Sequence, residues 1–102
     1  MDVVRMEVVV STSQLRAERF TVEGAAALPW QRCQIAERVL VIQQGRGYCY
    51  RATGADEDRL EVSDGDVVRI PRLVWHRVVA APDQSLTATL VTSVPGDVEL
   101  RR

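Results

Sequence analysis

Chemistry in this chain has to be built from few parts. Its single histidine, His76, closes the stretch Gly65-Asp66-Val67-Val68-Arg69-Ile70-Pro71-Arg72-Leu73-Val74-Trp75-His76, in which a turn, a short apolar strand and a proline corner lead to the imidazole. A histidine presented in this way can act as a metal ligand, or as a general acid or base because it titrates near neutrality. A zinc site takes three or four protein ligands, and no second histidine exists. Cys33 and Cys49 are the only cysteines and lack the spacing of a CxxC pair, so they read as reduced thiols of a cytoplasmic chain. All 13 basic residues are arginine, which excludes a Schiff-base lysine and reads as the coding bias of a GC-rich bacterial gene. No nucleophile elbow, phosphate loop, dinucleotide fingerprint or HExxH helix occurs.

The elements that must position His76 are short and β-type. Val3 to Val10 is rich in β-branched residues. Ser11-Thr12-Ser13-Gln14 has the form of a weak capping box, so Gln14 to Arg19 is expected as one helical turn or a loop. Arg19 to Glu23 reads as a strand, and Trp30 to Ala36 and Glu37 to Gln44 as extended segments. Gly45-Arg46-Gly47 is expected as a hairpin-type turn into Tyr48 to Arg51. Polar turns at Thr53 to Asp58 and Ser63 to Asp66 separate Leu60 to Val62 from Val67 to Ile70. His76 to Ala81 and Leu86 to Ser93 follow, and Pro95-Gly96 closes the pattern before a polar tail.

Eight or more short strands without a long helix predict an all-β sandwich or barrel. With 102 residues, the chain is read as one domain, 1–102. A formal charge of −1, spread along the sequence, gives no nucleic-acid or membrane-binding face. No apolar run approaches the roughly 20 residues of a membrane span, and no signal peptide is recognisable.

The order of these features resembles the cupin family, small jelly-roll barrels of the double-stranded β-helix type. Gly65, Pro71 and His76 stand at the spacing of the family's second motif, with Leu73 in place of its second glycine. Val39-Leu40-Val41-Ile42-Gln43-Gln44-Gly45-Arg46-Gly47 is similar to the hydrophobic end of its first motif. The resemblance covers about residues 20 to 93 and implies a cupin-type barrel that binds or transforms small organic molecules, and a homodimer, with Val3 to Val10 as the strand at the interface.

Counted back from Gly45, the family's ligand positions fall on Gln31, Cys33 and Arg38, and only His76 matches a family ligand. A guanidinium has no lone pair to donate and stays protonated, so a metal-free site is expected, without cofactor. The alternative is a divalent metal held by His76, Cys33 and Glu37 after a one-residue register shift. Strand alternation places Gln31, Cys33 and Ile35 on one face, Arg38, Leu40 and Ile42 on another, and His76, Val78 and Ala80 on a third. If these faces line the barrel, an apolar interior carries a few convergent polar groups, the usual design of a small-molecule site.

His76 and Arg38 are the expected catalytic pair, one moving a proton and the other holding a carboxylate or enolate. Gln31, Cys33, Tyr48, Tyr50 and Trp75 are the expected substrate contacts. Each has a plainer alternative: a structural histidine, a solvated arginine, a buried thiol, and tyrosines and tryptophans packed on the sheet. The resulting expectation is metal-independent cyclase, isomerase or dehydratase chemistry on a small, possibly anionic molecule in bacterial specialised metabolism. A non-catalytic binding or sensing barrel is the first alternative, and a metal-dependent isomerase or dioxygenase using His76 and Cys33 the second.

Overall fold

The computed structural model describes residues 3–24, 26–93 and 98–100. Within them there is no helix, so none is long and apolar enough to cross a membrane. Nine strands follow in order: β1 (Val3–Ser11), β2 (Arg16–Glu23), β3 (Gln31–Cys33), β4 (Arg38–Thr53), β5 (Asp56–Ser63), β6 (Val67–Ile70), β7 (Trp75–Ala80), β8 (Ser85–Thr92) and β9 (Val98–Leu100). The all-β expectation holds, and the strands curl into two facing antiparallel layers. One runs β1–β2–β8–β4–β6 and the other β5–β4–β7–β3–β9.

Strand β4 belongs to both layers. Its first half, Arg38 to Gly45, pairs with β8, while Arg46 to Thr53 pairs with β5 and Gly47 to Ala52 with β7. The hairpin expected at Gly45-Arg46-Gly47 is therefore absent. The chain passes straight through, because a register shift between Ile42 and Gln44 bends it from one layer into the other. Asp64 fixes the bend by accepting a hydrogen bond from the Gly45 amide at 2.6 Å, and the Gly65 amide donates to the Ile42 carbonyl at 2.9 Å.

Two other expectations are corrected. Gln14 to Arg19 forms no helical turn: Thr12 closes a tight turn with Leu15, and β2 begins at Arg16. The tail after Pro95-Gly96, a pair outside the described residues, is not simply polar coil, because Val98 to Leu100 pairs with β3.

Period-two alternation fills the space between the layers. Phe20 and Val22 from β2, Leu40 and Ile42 from β4, Ile70 from β6, Val78 from β7 and Leu86, Ala88 and Leu90 from β8 form one core cluster. Strand β1 lies at an edge, hydrogen-bonded to β2 in the sheet order, with Val4, Met6, Val8, Val9 and Val10 exposed.

The Pro71 corner carries strain that the sequence signals only indirectly. Leu73, standing where the resembled motif has a glycine, takes a left-handed φ of 67° and is 49% exposed. Its amide donates to the Cys33 carbonyl at 2.7 Å, which holds the corner against β3. A left-handed residue with a Cβ costs roughly 1–2 kcal/mol. Leu73→Gly is therefore expected to raise the melting temperature by a few degrees, and Leu73→Val, β-branched, to lower it. Equal melting of the two variants in a thermal scan excludes backbone strain at this corner.

Candidate functional site

Four buried or half-buried polar side chains meet at one end of the barrel, and two cross-strand pairings bring them there. Arg38 on β4 faces Thr92 on β8, and Gln31 on β3 faces His76 on β7. Inward alternation then aims the pairs at each other from opposite layers. Arg38 is 3% exposed. Its Nε donates to Thr92 Oγ1 at 2.9 Å, and its Nη1 donates to Gln31 Oε1 at 2.5 Å and meets His76 Nε2 at 3.0 Å.

The two bonds of His76 fix its tautomer. Nδ1 lies 2.9 Å from the Val74 carbonyl oxygen, which only accepts, so Nδ1 carries the proton. Nε2 then presents its lone pair to Arg38, which only donates. Burial, with Arg38 adding a smaller push in the same direction and the Val74 bond opposing it, lowers the imidazole to about 4. The expectation that this histidine titrates near neutrality is thus revised: it is a neutral acceptor that positions a guanidinium.

Arg38 itself is held below the usual arginine range by burial, against the opposing fields of Cys33 and Glu18. It remains a cation, since arginine does not deprotonate in proteins. Its three hydrogen-bond partners above are all neutral.

Arg38, Gln31 and Thr92 form the floor of a cleft of about 210 Å³, with Arg16 and Glu18 at its polar rim. Met6, Leu90 and Val98 supply apolar wall. His76 does not border this space and communicates with it through Arg38.

Arg16 and Glu18 escaped the sequence reading because the segment before Arg19 read as a turn. The signal was present: Arg16, Glu18, Phe20 and Val22 alternate on one face of a strand, and extending the period two positions backward reaches both. Thr92, too, was visible only as the end of an apolar strand.

The other expected contacts lie elsewhere. Cys33 is buried near Arg38 but does not border the cleft, and Ile35 is exposed. Tyr48, Tyr50 and Trp75 are on the outer face of their layer, since their inward neighbours are Cys49 and His76. There the Arg59 guanidinium lies 4.6 Å from the Tyr48 ring, and Arg32 lies 4.6 Å from Trp75. The strand parity of β4 and β7 forbids these rings from entering the barrel without a register slip.

The residues do not fit a divalent metal. The alternative ligand set of His76, Cys33 and Glu37 is not assembled, because β4 keeps Arg38 inward and turns Glu37 outward, where it pairs with Arg69. A cation occupies the centre of the site, and the one imidazole lone pair points at it. Among the described residues no group of three or more His, Cys, Asp or Glu side chains is placed to share an ion. Cys49 is a buried thiol pushed up to about 11 by burial, far from a thiolate ligand at neutral pH.

No family model matches this chain, and no curated protein sequence does. Solved structures do match. A cupin-like protein of Thermotoga maritima superposes with a TM-score of 0.79 at 21% identity, over 96% of this chain and 75% of that one. An uncharacterized conserved protein with a double-stranded β-helix domain from Klebsiella pneumoniae gives 0.82 at 10% identity, over 97% and 84%. A recombinant oxalate oxidase in complex with glycolate gives 0.79 at 12% identity, over 97% of this chain and 54% of the enzyme. At these identities the likeness is one of fold.

Proposed function

We propose that this chain, which has the cupin fold, binds a small organic anion through Arg38, without a metal. One observation carries the reading: a buried guanidinium at the floor of a cleft makes its hydrogen bonds to the neutral side chains of Gln31, His76 and Thr92. Burying a cation without a paired anion is costly. A carboxylate entering the cleft supplies the missing charge, and charge-assisted bonds to arginine are among the stronger ones available.

The cleft, about 210 Å³, is below the usual range of roughly 300–1,000 Å³ for ligand pockets, which favours a molecule of few heavy atoms. Acid–base catalysis by His76 fits the site less well than binding, because its Nε2 lone pair is engaged by Arg38 and its Nδ1 proton is donated to the Val74 carbonyl. If the barrel is also an enzyme of the cyclase, isomerase or dehydratase kind, Arg38 stabilises the developing oxyanion and His76 positions Arg38. The exposed apolar edge at β1 supports, within the same reading, a homodimer.

Titration of propanoate against propanamide, read by calorimetry and thermal shift, tests the proposal. Propanoate is expected to bind and stabilise the protein and the amide not to. Arg38→Gln is expected to weaken propanoate at least tenfold, a loss of about 1.4 kcal/mol or more. Binding that survives Arg38→Gln unchanged, or equal binding of acid and amide, refutes it.

A further inference from the structure

The rim of the cleft holds an ion pair, Arg16 and Glu18, that is not hydrogen-bonded through Arg16 Nε. Glu18, with its side chain 17% exposed, offers two carboxylate oxygens and about four acceptor sites. Among the described residues these oxygens accept no hydrogen bond. The neighbouring Arg16 brings Nε to 3.4 Å from Glu18 Oε1, but without the alignment of a hydrogen bond, and that Nε is buried with no partner. The Glu18 carboxylate is therefore an acceptor without a hydrogen-bond donor at the mouth, above a guanidinium floor.

Charge narrows what can fill them. Arg16 and Arg38 set two positive charges against the single negative charge of Glu18, leaving the cleft lining one net positive charge. One carboxylate matches the guanidinium of Arg38, whereas a second one meets the repulsion of Glu18. Glu18 also flanks β8 from the side opposite Arg38, facing Leu90 while Arg38 faces Thr92 two residues on. Glu18 is the one carboxylate that lines the cleft with Arg38, and its field reaches that guanidinium.

We infer that Glu18 selects the ligand: the cleft takes short monocarboxylic acids that carry a hydrogen-bond donor beside the acid group, a hydroxyl or an ammonium. This rests on the anion-binding reading of Arg38 and adds the chemical class of the anion. A plain acid covers Glu18 without giving its oxygens a hydrogen-bond donor, which costs binding free energy. A hydroxy or amino acid pairs them, and an amino acid adds a charge partner.

The test compares propanoate, L-lactate, L-alanine and malonate on the full chain at pH 7.5 by calorimetry. L-Lactate or L-alanine is expected to bind at least tenfold tighter than propanoate, with malonate no tighter than propanoate. Glu18→Leu, its fold checked by melting, brings the preferred acid to within about twofold of propanoate. Glu18→Gln separates the two donor types, since its amide oxygen still accepts a hydroxyl but no longer neutralises an ammonium. It keeps an advantage for lactate and loses one for alanine.

Propanoate binding as tightly as both substituted acids, with Arg38 still required, overturns this inference and leaves the anion reading intact. So does a preference that persists in Glu18→Leu. Failure of every carboxylate to bind wild-type protein overturns both. The wild-type ratio decides the matter even if a Glu18 variant does not fold.

Discussion

Gly47→Ala is expected to remove a large part of the stability of the fold. Gly47 sits where β4 passes into the second layer, paired with Val62 on one side and Ala80 on the other. A Cβ built there lies 2.2 Å from the Val79 carbonyl oxygen and 3.1 Å from the Ala80 Cα. Both are backbone atoms held in a strand, so the clash cannot be relieved by turning a side chain. Gly45 is tighter still: its Cβ meets the Ser85 carbonyl oxygen at 2.0 Å, and its φ of 102° disfavours a side chain independently. Relief requires β4 to move off β8 or β7, the strands that join the two layers.

A cost of about 3 kcal/mol or more is expected for either substitution, against a total stability of roughly 5–15 kcal/mol for a domain of this size. Gly54→Ala is the control. Gly54 is also left-handed, at φ 60°, but its Cβ meets nothing within 4 Å, so only the backbone penalty of roughly 1 kcal/mol applies. Soluble yield and thermal melting by circular dichroism should place Gly45→Ala and Gly47→Ala far below Gly54→Ala. Comparable melting of Gly47→Ala and Gly54→Ala contradicts the steric account of the β4 crossing.

The second large effect is acid destabilisation through His76. The imidazole is held at about 4 in the folded protein and returns to about 6.5 when the chain unfolds. Above pH 6.5 it is neutral in both states, and its contribution is constant. As the pH falls below 6.5, the unfolded chain takes up a proton that the folded protein refuses until about pH 4, so stability drops across that window. The expected loss is on the order of 3 kcal/mol, equivalent to more than about 10 °C in melting temperature for a domain of this length.

The cause is physical: a protonated Nε2 would be buried against the Arg38 guanidinium, with its acceptor role gone. His76→Gln keeps an acceptor for Arg38 and removes the titrating group. Its melting temperature is expected to fall much less between pH 6.5 and 4 than that of the wild type. Parallel pH profiles for the two proteins would assign the acid loss to carboxylates instead.

Several elements of the fold can be read without coordinates because they depend on local pattern. The alternation of Arg38, Leu40 and Ile42, and of His76, Val78 and Ala80, is a strand period, and each set is buried as that period requires. The turn at Ser63 to Asp66 follows from its Asp and Gly content. Nearest-neighbour chemistry decides these features, and it is written in the residues themselves.

Other features depend on partners distant in sequence. Gly45 and Gly47 looked like a hairpin because glycine pairs usually mark turns. Here they are glycines because Ser85 and Val79 approach within a side chain's width, a fact contained in neither neighbourhood. Tyr48, Tyr50 and Trp75 had the right chemistry for a pocket, but the parity of β4 and β7 sends them outward. Arg16 and Glu18 enter the site only through the pairing of β2 with β8.

His76 shows the division most clearly. The residues alone pointed to a β-barrel of cupin type and to an inward-facing histidine, and left open whether Arg38 or Glu37 faces it. Only the tertiary structure decided what that histidine does, because a side chain's protonation depends on burial and on which groups the packing brings within 3 Å. By setting the Arg38 guanidinium at 3.0 Å and the Val74 carbonyl at 2.9 Å, the barrel makes His76 a neutral support for Arg38 and leaves the cation facing the cleft.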